Sequence, residues 1–356
     1  MEFQAMANDL AAAPPPRSVG NAAVSKPPFQ RRHSNRHTYG AIDLGTNNCR
    51  LLIARPTDDG FIVVDAFSRI VRLGEGLSVS GRLSEEAMDR AVAALGVCAD
   101  KLRRRHVTLA RSVATEACRR AANGRQFAER VRKETGIAME IIAPQEEARL
   151  AVLGCHKLLE PGDGPALIFD IGGGSTELVL VEPGEDERPP RIRAWWSAPW
   201  GVVSLTESEG TGAIDGDNRL EAYARMKARA KDSFSRFAEI LPSDREGIRL
   251  LGTSGTVTTL ASVHLALPSY DRRAVDGLHV PIDDMRRIST MIAEMDFGGR
   301  SSVPCIGAER ADLVVAGCAI LEAILDIWPA DRLGVADRGI REGILRSLMA
   351  NDGFSV

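Results

Sequence analysis

The stretch ALIFDIGGGSTELVLVE, residues 166–182, decides the fold. An apolar run, a polar glycine-rich turn and a second apolar run predict two buried strands joined by a tight turn. Residues 39–55, YGAIDLGTNNCRLLIAR, follow the same plan. When Asp43 is aligned with Asp170, the turn glycine and the first leucine of the returning strand also align, without a gap. The repeat predicts an internal duplication.

Around the two copies, predicted strands alternate with predicted helices. Apolar periodicity and capping residues predict helices over 83–105, 124–135, 145–159, 309–327 and 337–349, a short strand over 137–142, and a strand–turn–helix unit over 248–263. This pattern is typical of an α/β protein with two domains. We expect the first domain to span residues 38–150, with the C-terminal helix 337–356 packing back on it, and the second to span 151–336.

Composition excludes several classes of protein. The chain has 356 residues, 45 Lys and Arg against 48 Asp and Glu, and a net charge of −3. This balance gives no strong field toward nucleic acid or a membrane surface, so we expect neither partner. No apolar run approaches the roughly 18 residues of a membrane span. The motif that typifies a P-loop nucleotidase is absent from the sequence.

The N-terminal segment and the cysteines bear on location. Residues 1–37 combine an Ala-Pro run with the basic stretch RRHSNRH, which predicts a disordered tail. The six cysteines are dispersed and contain no C-x-x-C pair, so neither a disulfide framework nor a cysteine zinc site is predicted. We therefore expect a protein of the reducing cytoplasm.

The turn DIGGGSTE, residues 170–177, is the strongest chemical signal. Three glycines let backbone N–H groups approach a phosphate, because no Cβ obstructs them. Asp170 and Glu177 bound the turn and could share a divalent cation with phosphate oxygens. The alternative is a β-hairpin turn whose acids simply face solvent.

Two further turns carry polar groups. Residues 43–50, DLGTNNCR, offer Thr46, Asn47 and Asn48 as donors beside Asp43. Two such turns, facing each other across a cleft, would clamp an anion from both sides. GTSGT, residues 252–256, leads into a helix N-terminus, where anions are favoured. An unliganded helix N-cap explains GTSGT equally well.

Two helix segments add charged residues. Arg119 and Arg120 are adjacent on a predicted helix, so at most one is expected to enter the cleft. Glu146 and Glu147 lie side by side at a helix start, where acids are also expected from the helix dipole alone. From the residues alone, the dipole explanation is preferred for both glutamates.

Taken together, six motifs resemble one known family. DLGTNNCRLLIA, ATEACR, PQEEARL, FDIGGGSTELVL, GTSGT and RGIREGIL occur in this order between about residues 39 and 348. They resemble the exopolyphosphatase/guanosine pentaphosphate phosphatase (Ppx/GppA) family in its short two-domain form. The resemblance implies a duplicated actin-like fold, related to actin, sugar kinases and heat-shock chaperones, with the substrate and Mg²⁺ in the interdomain cleft.

The resemblance also assigns roles to residues of this chain. It makes Glu147 the catalytic glutamate, in place of the dipole explanation, and it makes Asp170, Glu177 and Asp43 the metal-associated carboxylates. Asn48 stands where many relatives carry a serine. The phosphate-binding set is predicted to comprise Thr46, Asn47, Asn48, Arg119, Gly172, Gly173, Gly174, Ser175 and Gly255.

The function implied is an Mg²⁺-dependent exopolyphosphatase that releases orthophosphate from the ends of inorganic polyphosphate. Removal of the 5′ γ-phosphate of guanosine pentaphosphate, or action on the tetraphosphate, is an alternative that uses the same residues. A non-catalytic polyphosphate or nucleotide sensor on the same fold is an alternative of another class. A homodimer is expected, because closed homo-oligomers are common among soluble enzymes.

Overall fold

The computed structural model describes residues 37–58, 60–160, 162, 164–182, 189–239 and 248–355. The tail predicted over residues 1–37 lies, except for its last residue, outside this described part. Two mixed sheets form the framework, and each begins with one of the two repeated hairpins.

The first sheet has five strands in the order β3-β2-β1-β4-β5. β2 pairs antiparallel with both β1 and β3, whereas β1, β4 and β5 run parallel to one another. The strands are β1 (Tyr39–Leu44), β2 (Asn48–Thr57), β3 (Gly60–Ile70), β4 (Leu109–Ala114) and β5 (Glu140–Ile141).

The second sheet has six strands in the order β10-β11-β9-β6-β7-β8. They are β6 (Ala166–Ile171), β7 (Thr176–Glu182), β8 (Arg191–Ala198), β9 (Arg249–Thr253), β10 (His279–Pro281) and β11 (Arg332–Ala336). β6 pairs antiparallel with β7 and parallel with β9, just as β1 pairs with β2 and β4. The duplicated actin-like architecture predicted from the sequence is confirmed.

Helices cover the two sheets. They are α1 (Leu77–Ser80), α2 (Glu85–Arg104), α3 (Glu116–Arg120), α4 (Gly124–Thr135), α5 (Pro144–Cys155), α6 (Val202–Glu209), α7 (Thr211–Asp215), α8 (Arg219–Glu239), α9 (Gly255–His264), α10 (Arg272–Val275), α11 (Ile282–Glu294), α12 (Phe297–Ser302), α13 (Val314–Ile327) and α14 (Ile340–Asn351). A 3-10 turn follows α5 at His156–Leu158. Within the described residues, no helix is both long enough and apolar enough to cross a membrane.

Apolar side chains explain how the helices are placed. Leu95 of α2 and Phe127 of α4 are buried with Leu51 against one face of the first sheet. α14 packs on the opposite face, where its Ile344 is buried in one cluster with Tyr39 of β1. The first sheet therefore lies between helical layers, as expected when strands must be covered on both faces.

Two helices begin three or more residues later than predicted. The helix expected from residue 309 starts at Val314, because residues 311–313 form turns after Cys305 and Gly307 take left-handed conformations with φ of 72° and 67°. The helix expected from residue 337 starts at Ile340, where the amide of Gly339 donates to the Glu342 side chain at 2.9 Å. That capping interaction fixes where α14 begins.

α5 and α14 touch through their backbones. A Cβ built on Gly343 of α14 would lie 2.0 Å from the carbonyl oxygen of Leu150 in α5. A Cβ on Gly154 of α5 would lie 2.0 Å from the carbonyl oxygen of Gly339. Glycine at both positions is therefore what lets the two helices approach this closely.

Candidate active site

A cavity of about 140 Å³ lies between the two sheets, at the ends of the repeated hairpins. The β1–β2, β6–β7 and β9–α9 turns line it together with the start of α5. The cavity brings together Asp43, Thr46, Asn47, Asn48, Glu147, Asp170, Gly172, Gly173, Gly174, Ser175, Glu177 and Gly255. Arg119 lies behind this lining, in contact with Glu147.

The two hairpin turns face each other at close range. A Cβ on Gly173 would lie 2.9 Å from the Cβ of Thr46 and 3.1 Å from the amide nitrogen of Asn47. A Cβ on Gly174 would lie 2.7 Å from Thr46 Oγ1. Larger residues would push the turns apart, so the glycines allow both turns to reach one small anion.

The backbone of the glycine turn is oriented by α6. The carbonyl oxygens of Gly172 and Gly173 accept hydrogen bonds from Val202 and Val203 at 2.9 and 2.8 Å. In a planar trans peptide the N–H points opposite to the carbonyl, so the amides that follow point away from α6. Such a row of oriented amides is suited to binding a phosphate.

Three buried polar atoms in the cavity have no hydrogen-bond partner in the described part of the chain. They are Thr46 Oγ1, Asn47 Oδ1 and Asp170 Oδ1. Buried polar atoms are normally paired, because leaving one unpaired costs about 1–3 kcal/mol. Hydroxyl and carboxylate groups left in this way indicate a site built for a ligand that completes them.

The structure separates the adjacent glutamates of α5. Glu146 lies at the surface and pairs with Arg111 and Arg149 at 2.8 and 2.7 Å. Glu147 is 6% exposed, and its Oε2 accepts a hydrogen bond of 2.6 Å from Nη1 of Arg119. Only Glu147 of the two lines the cavity. A dipole explanation accounts for a solvated acid but not for one buried against an arginine.

Electrostatics make Glu147 sensitive to its surroundings. Burial raises its pKa well above the usual value, and the nearby charge of Glu177 raises it further, whereas Arg119 opposes the increase. Without added positive charge, this carboxyl group therefore tends to keep its proton. A cation near the cleft would restore the ionised form.

Two carboxylates face each other across the second hairpin. Asp170 and Glu177 are directly opposite in the β6–β7 register, and they are 7% and 2% exposed. Burial and the charge of Asp170 raise the pKa of Glu177 to about 7, although Ser175 and Ser197 donate to its Oε1 at 2.8 and 2.9 Å. Like charges placed opposite each other destabilise a sheet, so the pair points to function.

The first hairpin carries a different pair at the same register. Asp43 lies opposite Arg50, whereas Asp170 lies opposite Glu177 in the second copy. Burial raises the pKa of Asp43, but Arg50 and Arg341 oppose the increase. Each copy thus contributes one aspartate to the cleft, and only the second copy adds a further acid.

The donor set suits a hard cation held jointly with a substrate. Among the described residues no group of three or more His, Cys, Asp or Glu side chains is placed to enclose a metal ion. Mg²⁺ is commonly bound by one or two carboxylates, waters and substrate phosphates. The unpaired oxygen of Asp170, with Glu177 opposite, fits that mode of binding.

The third turn enters the site under strain. Ser254 adopts a left-handed conformation with φ of 76°, which is uncommon for a residue other than glycine. Its hydrogen bond to Asp170 lowers the pKa of that carboxyl, partly offsetting the increase caused by burial. Strain of this kind costs about 1–3 kcal/mol and is concentrated at functional sites.

Sequence reasoning missed three charged residues that line the cavity, Arg50, Glu116 and Arg310. Arg50 and Glu116 lay within the motifs considered, and the duplication places Arg50 at the position of Glu177. Arg310 carried no such signal, because residues 309–327 were predicted as one helix. It lies before α13 and donates from Nη1 to Thr259 Oγ1 at 3.0 Å.

Comparison with known proteins shows which family the sequence matches. The model of the Ppx/GppA phosphatase family matches residues 52–352. Exopolyphosphatase 2 of Mycobacterium tuberculosis is 31% identical over 325 residues, which cover 86% of this chain and 97% of that protein. Guanosine-5'-triphosphate,3'-diphosphate pyrophosphatase of Aeromonas hydrophila is 29% identical over 325 residues, which cover 89% of this chain and 60% of that protein.

Solved structures lead to the same family. The crystal structure of the Aquifex aeolicus member of the Ppx/GppA protein family matches with a TM-score of 0.72 and 29% identity, covering 90% of this chain and 99% of that one. The match of the family model over most of the sequence, the similar relatives and the shared fold show that the chain belongs to the Ppx/GppA phosphatase family.

Proposed function

We propose that this protein is an Mg²⁺-dependent exopolyphosphatase that removes the terminal phosphate of inorganic polyphosphate and releases orthophosphate. The observation that carries the proposal is a buried glutamate, Glu147, that lines the same cavity as the two repeated hairpin turns. Membership of the family makes the chain a phosphoanhydride hydrolase.

In this proposal Glu147 orients a water molecule in line with the terminal phosphorus and accepts its proton. Arg119, at 2.6 Å, favours the ionised form of Glu147 that this role requires. The turn amides, with Thr46 and Asn47, bind the phosphoryl oxygens. Phosphoryl transfer depends mostly on positioning and charge stabilisation, which is what these rigidly held groups supply.

We propose that Asp170 and Glu177, with Asp43 facing them, hold Mg²⁺ together with the substrate. When bound, the ion would neutralise charge on the phosphate oxygens. Besides these three acids, Glu116 and Glu147 also line the cavity, against two lining arginines, Arg50 and Arg310. This excess of acids would repel a polyanion, so the cavity itself favours an added cation.

The predicted contact between Arg119 and phosphate stays a prediction. In this structure the guanidinium of Arg119 donates to Glu147, to Glu116 and to the carbonyl oxygen of Ile142. Contact with a phosphate would require a further N–H of the same guanidinium, or the exchange of one of these partners.

Guanosine pentaphosphate is the second candidate substrate. The observation in its favour is the similarity to the Aeromonas hydrophila protein, which is named for a guanosine substrate. Both substrates end in a phosphoanhydride that the same residues could cleave. The terminal phosphate is common to the two substrates, so the contacts proposed above would be the same for both.

The test measures orthophosphate release from polyphosphate and from guanosine pentaphosphate side by side, with purified full-length protein and Mg²⁺. Glu147→Gln should keep fold and binding but lower turnover by about 10² or more, the scale expected for a lost general base. Glu146→Gln is the matched control, because its carboxylate pairs at the surface instead. Absence of release from polyphosphate would overturn the proposed function, and release from guanosine pentaphosphate alone would favour the second candidate. Unchanged turnover in Glu147→Gln would overturn the role of Glu147.

We also propose a cytoplasmic location, a homodimer, and the domain division 38–150 with 337–356 against 151–336. The six cysteines form no disulfide among the described residues, in line with the reducing compartment that we propose. The packing of α14 beside β1 supports assigning the last helix to the first domain. Sedimentation of the purified protein would test the homodimer.

A further inference from the structure

Arg119 is held from two sides by carboxylates. Its Nη1 donates to Glu147 Oε2 at 2.6 Å and to the carbonyl oxygen of Ile142 at 2.9 Å, whereas its Nη2 donates to Glu116 Oε2 at 2.9 Å. The guanidinium plane is fixed by contacts at both of its ends. This arrangement makes a chain of charges, Glu116–Arg119–Glu147, that ends at the proposed catalytic carboxyl.

The ion pair between Glu116 and Arg119 is more buried than a typical ion pair within one helix. An acid in the first turn and an arginine three residues later often form an exposed pair of small energetic value. Here the side chains of Glu116 and Arg119 are only 19% and 14% exposed. The pair is therefore largely shielded from water. A charge-assisted hydrogen bond in such a shielded position is stronger than an exposed one, and its geometry is more constrained.

Glu116 also touches the opposite side of the cleft. A Cβ built on Gly174 would lie 2.9 Å from Glu116 Cγ, so the stem of this glutamate rests against the glycine turn of the second sheet. The same residue thus contacts the phosphate-binding turn with its stem and Arg119 with its carboxylate. Glu116 therefore bridges the two sides of the cleft.

We propose that Glu116 is a positioning residue that holds the Arg119 guanidinium against Glu147 and so fixes the direction of the catalytic carboxylate. The inference rests on the proposed function of the cleft. Glu116 links the position of the glycine turn to that of Glu147, because its stem contacts the turn and its carboxylate holds Arg119, which contacts Glu147. Without Glu116, the guanidinium loses one of the anchors that orient it.

The test compares Glu116→Gln and Glu116→Ala with the parent protein in steady-state polyphosphate hydrolysis. The Gln side chain keeps a hydrogen-bond acceptor without the charge, and Ala removes both. We therefore expect kcat to be highest in the parent, lower in Glu116→Gln and lowest in Glu116→Ala. We expect a loss of about ten-fold for Gln, since small displacements of a catalytic group are costly, with KM within about two-fold. Glu86→Gln is the matched control, an exposed glutamate in the first turn of α2.

A double variant separates this role from a general structural one. If Glu116 acts through Glu147, Glu116→Gln should have little further effect on the residual rate of Glu147→Gln. The proposal would be overturned if the losses of kcat in the two single variants multiplied in the double variant. It would also be overturned if Glu116→Gln changed only KM, or if its kcat equalled that of Glu86→Gln. Thermal melting checks folding, and the isosteric Gln variant decides the matter if the Ala variant unfolds.

Failure of the proposed function gives a different result. A parent protein without activity on polyphosphate contradicts the function itself, whatever the variants do. An active parent that loses turnover in Glu147→Gln but not in Glu116→Gln contradicts only the positioning role.

Discussion

The backbone contact between α5 and α14 can be tested with one methyl group. Gly343→Ala would place a Cβ 2.0 Å from the carbonyl oxygen of Leu150, and ordinary contact begins near 3.4 Å. The obstructing atom belongs to the backbone, which cannot rotate away as a side chain would. α14 must therefore move away from α5 by about 1.4 Å, or one of the two helices must bend.

Two opposing contributions determine how much Gly343→Ala changes the free energy of unfolding. Overpacking a tight contact costs about 1–3 kcal/mol, and the forced movement of a helix backbone places this site near the upper value. Replacing glycine by alanine within a helix returns about 1 kcal/mol through helix propensity. The net loss is about 2 kcal/mol, which for a chain of 356 residues corresponds to a decrease of about 3 °C in Tm.

Gly96→Ala is the matched control, because Gly96 lies within α2 and a Cβ there would meet no atom within 4 Å. It should raise Tm slightly through propensity alone. Thermal melts followed by circular dichroism compare the two variants directly. If Gly343→Ala melts at or above the parent, as Gly96→Ala should, the close helix contact is wrong.

Three further predictions concern the cleft and the surface. Asp170→Asn and Glu177→Gln should each raise the Mg²⁺ concentration needed for half-maximal activity, because each removes an anionic donor; an unchanged titration curve would place the metal elsewhere. Gly174→Ala should lower kcat at least about ten-fold, since its Cβ would lie 2.7 Å from Thr46 Oγ1 and hold the turns apart; a rate like that of the parent contradicts the close contact. Asp65, whose pKa is lowered to about 2 by hydrogen bonds from a lysine and an arginine, contributes stability that is present above its ordinary pKa of 3.8 and lost as pH falls through about 2. Asp65→Asn should therefore lower the urea midpoint more at pH 7 than at pH 3, and equal losses at both would contradict this.

The repeated hairpins were predictable because strand, turn and glycine signals agree within a short window. α4 was predicted with both of its ends, since apolar periodicity and a terminal glycine, Gly136, mark it clearly. α8, the longest helix described, and β3 were not predicted. β3 has many half-exposed positions, and the pairing with β2 that stabilises it is a long-range property of the sheet.

Within the site, the polar residues of the turns could be predicted from the sequence more easily than the side chains that they contact. Asp170 and Glu177 could be proposed from one motif, because their separation is local. The contact between Arg119 and Glu147 joins residues 28 positions apart. From the local sequence alone, the helix dipole is the preferred explanation for Glu147. Such pairings arise when separate elements pack, so local sequence signals do not specify them.

The two repeated hairpins differ in charge at one equivalent position, and this difference makes the cleft asymmetric. At the position where the second copy has Glu177, the first copy has Arg50, so equivalent sites now carry opposite charges. A duplicated fold that kept the same charge in both copies would present a phosphate chain with two equivalent faces. Divergence at this one pair leaves a neutral Asp43–Arg50 pair on one hairpin and two acids on the other, so the two sides of the cleft differ in charge toward a phosphate chain and its cation.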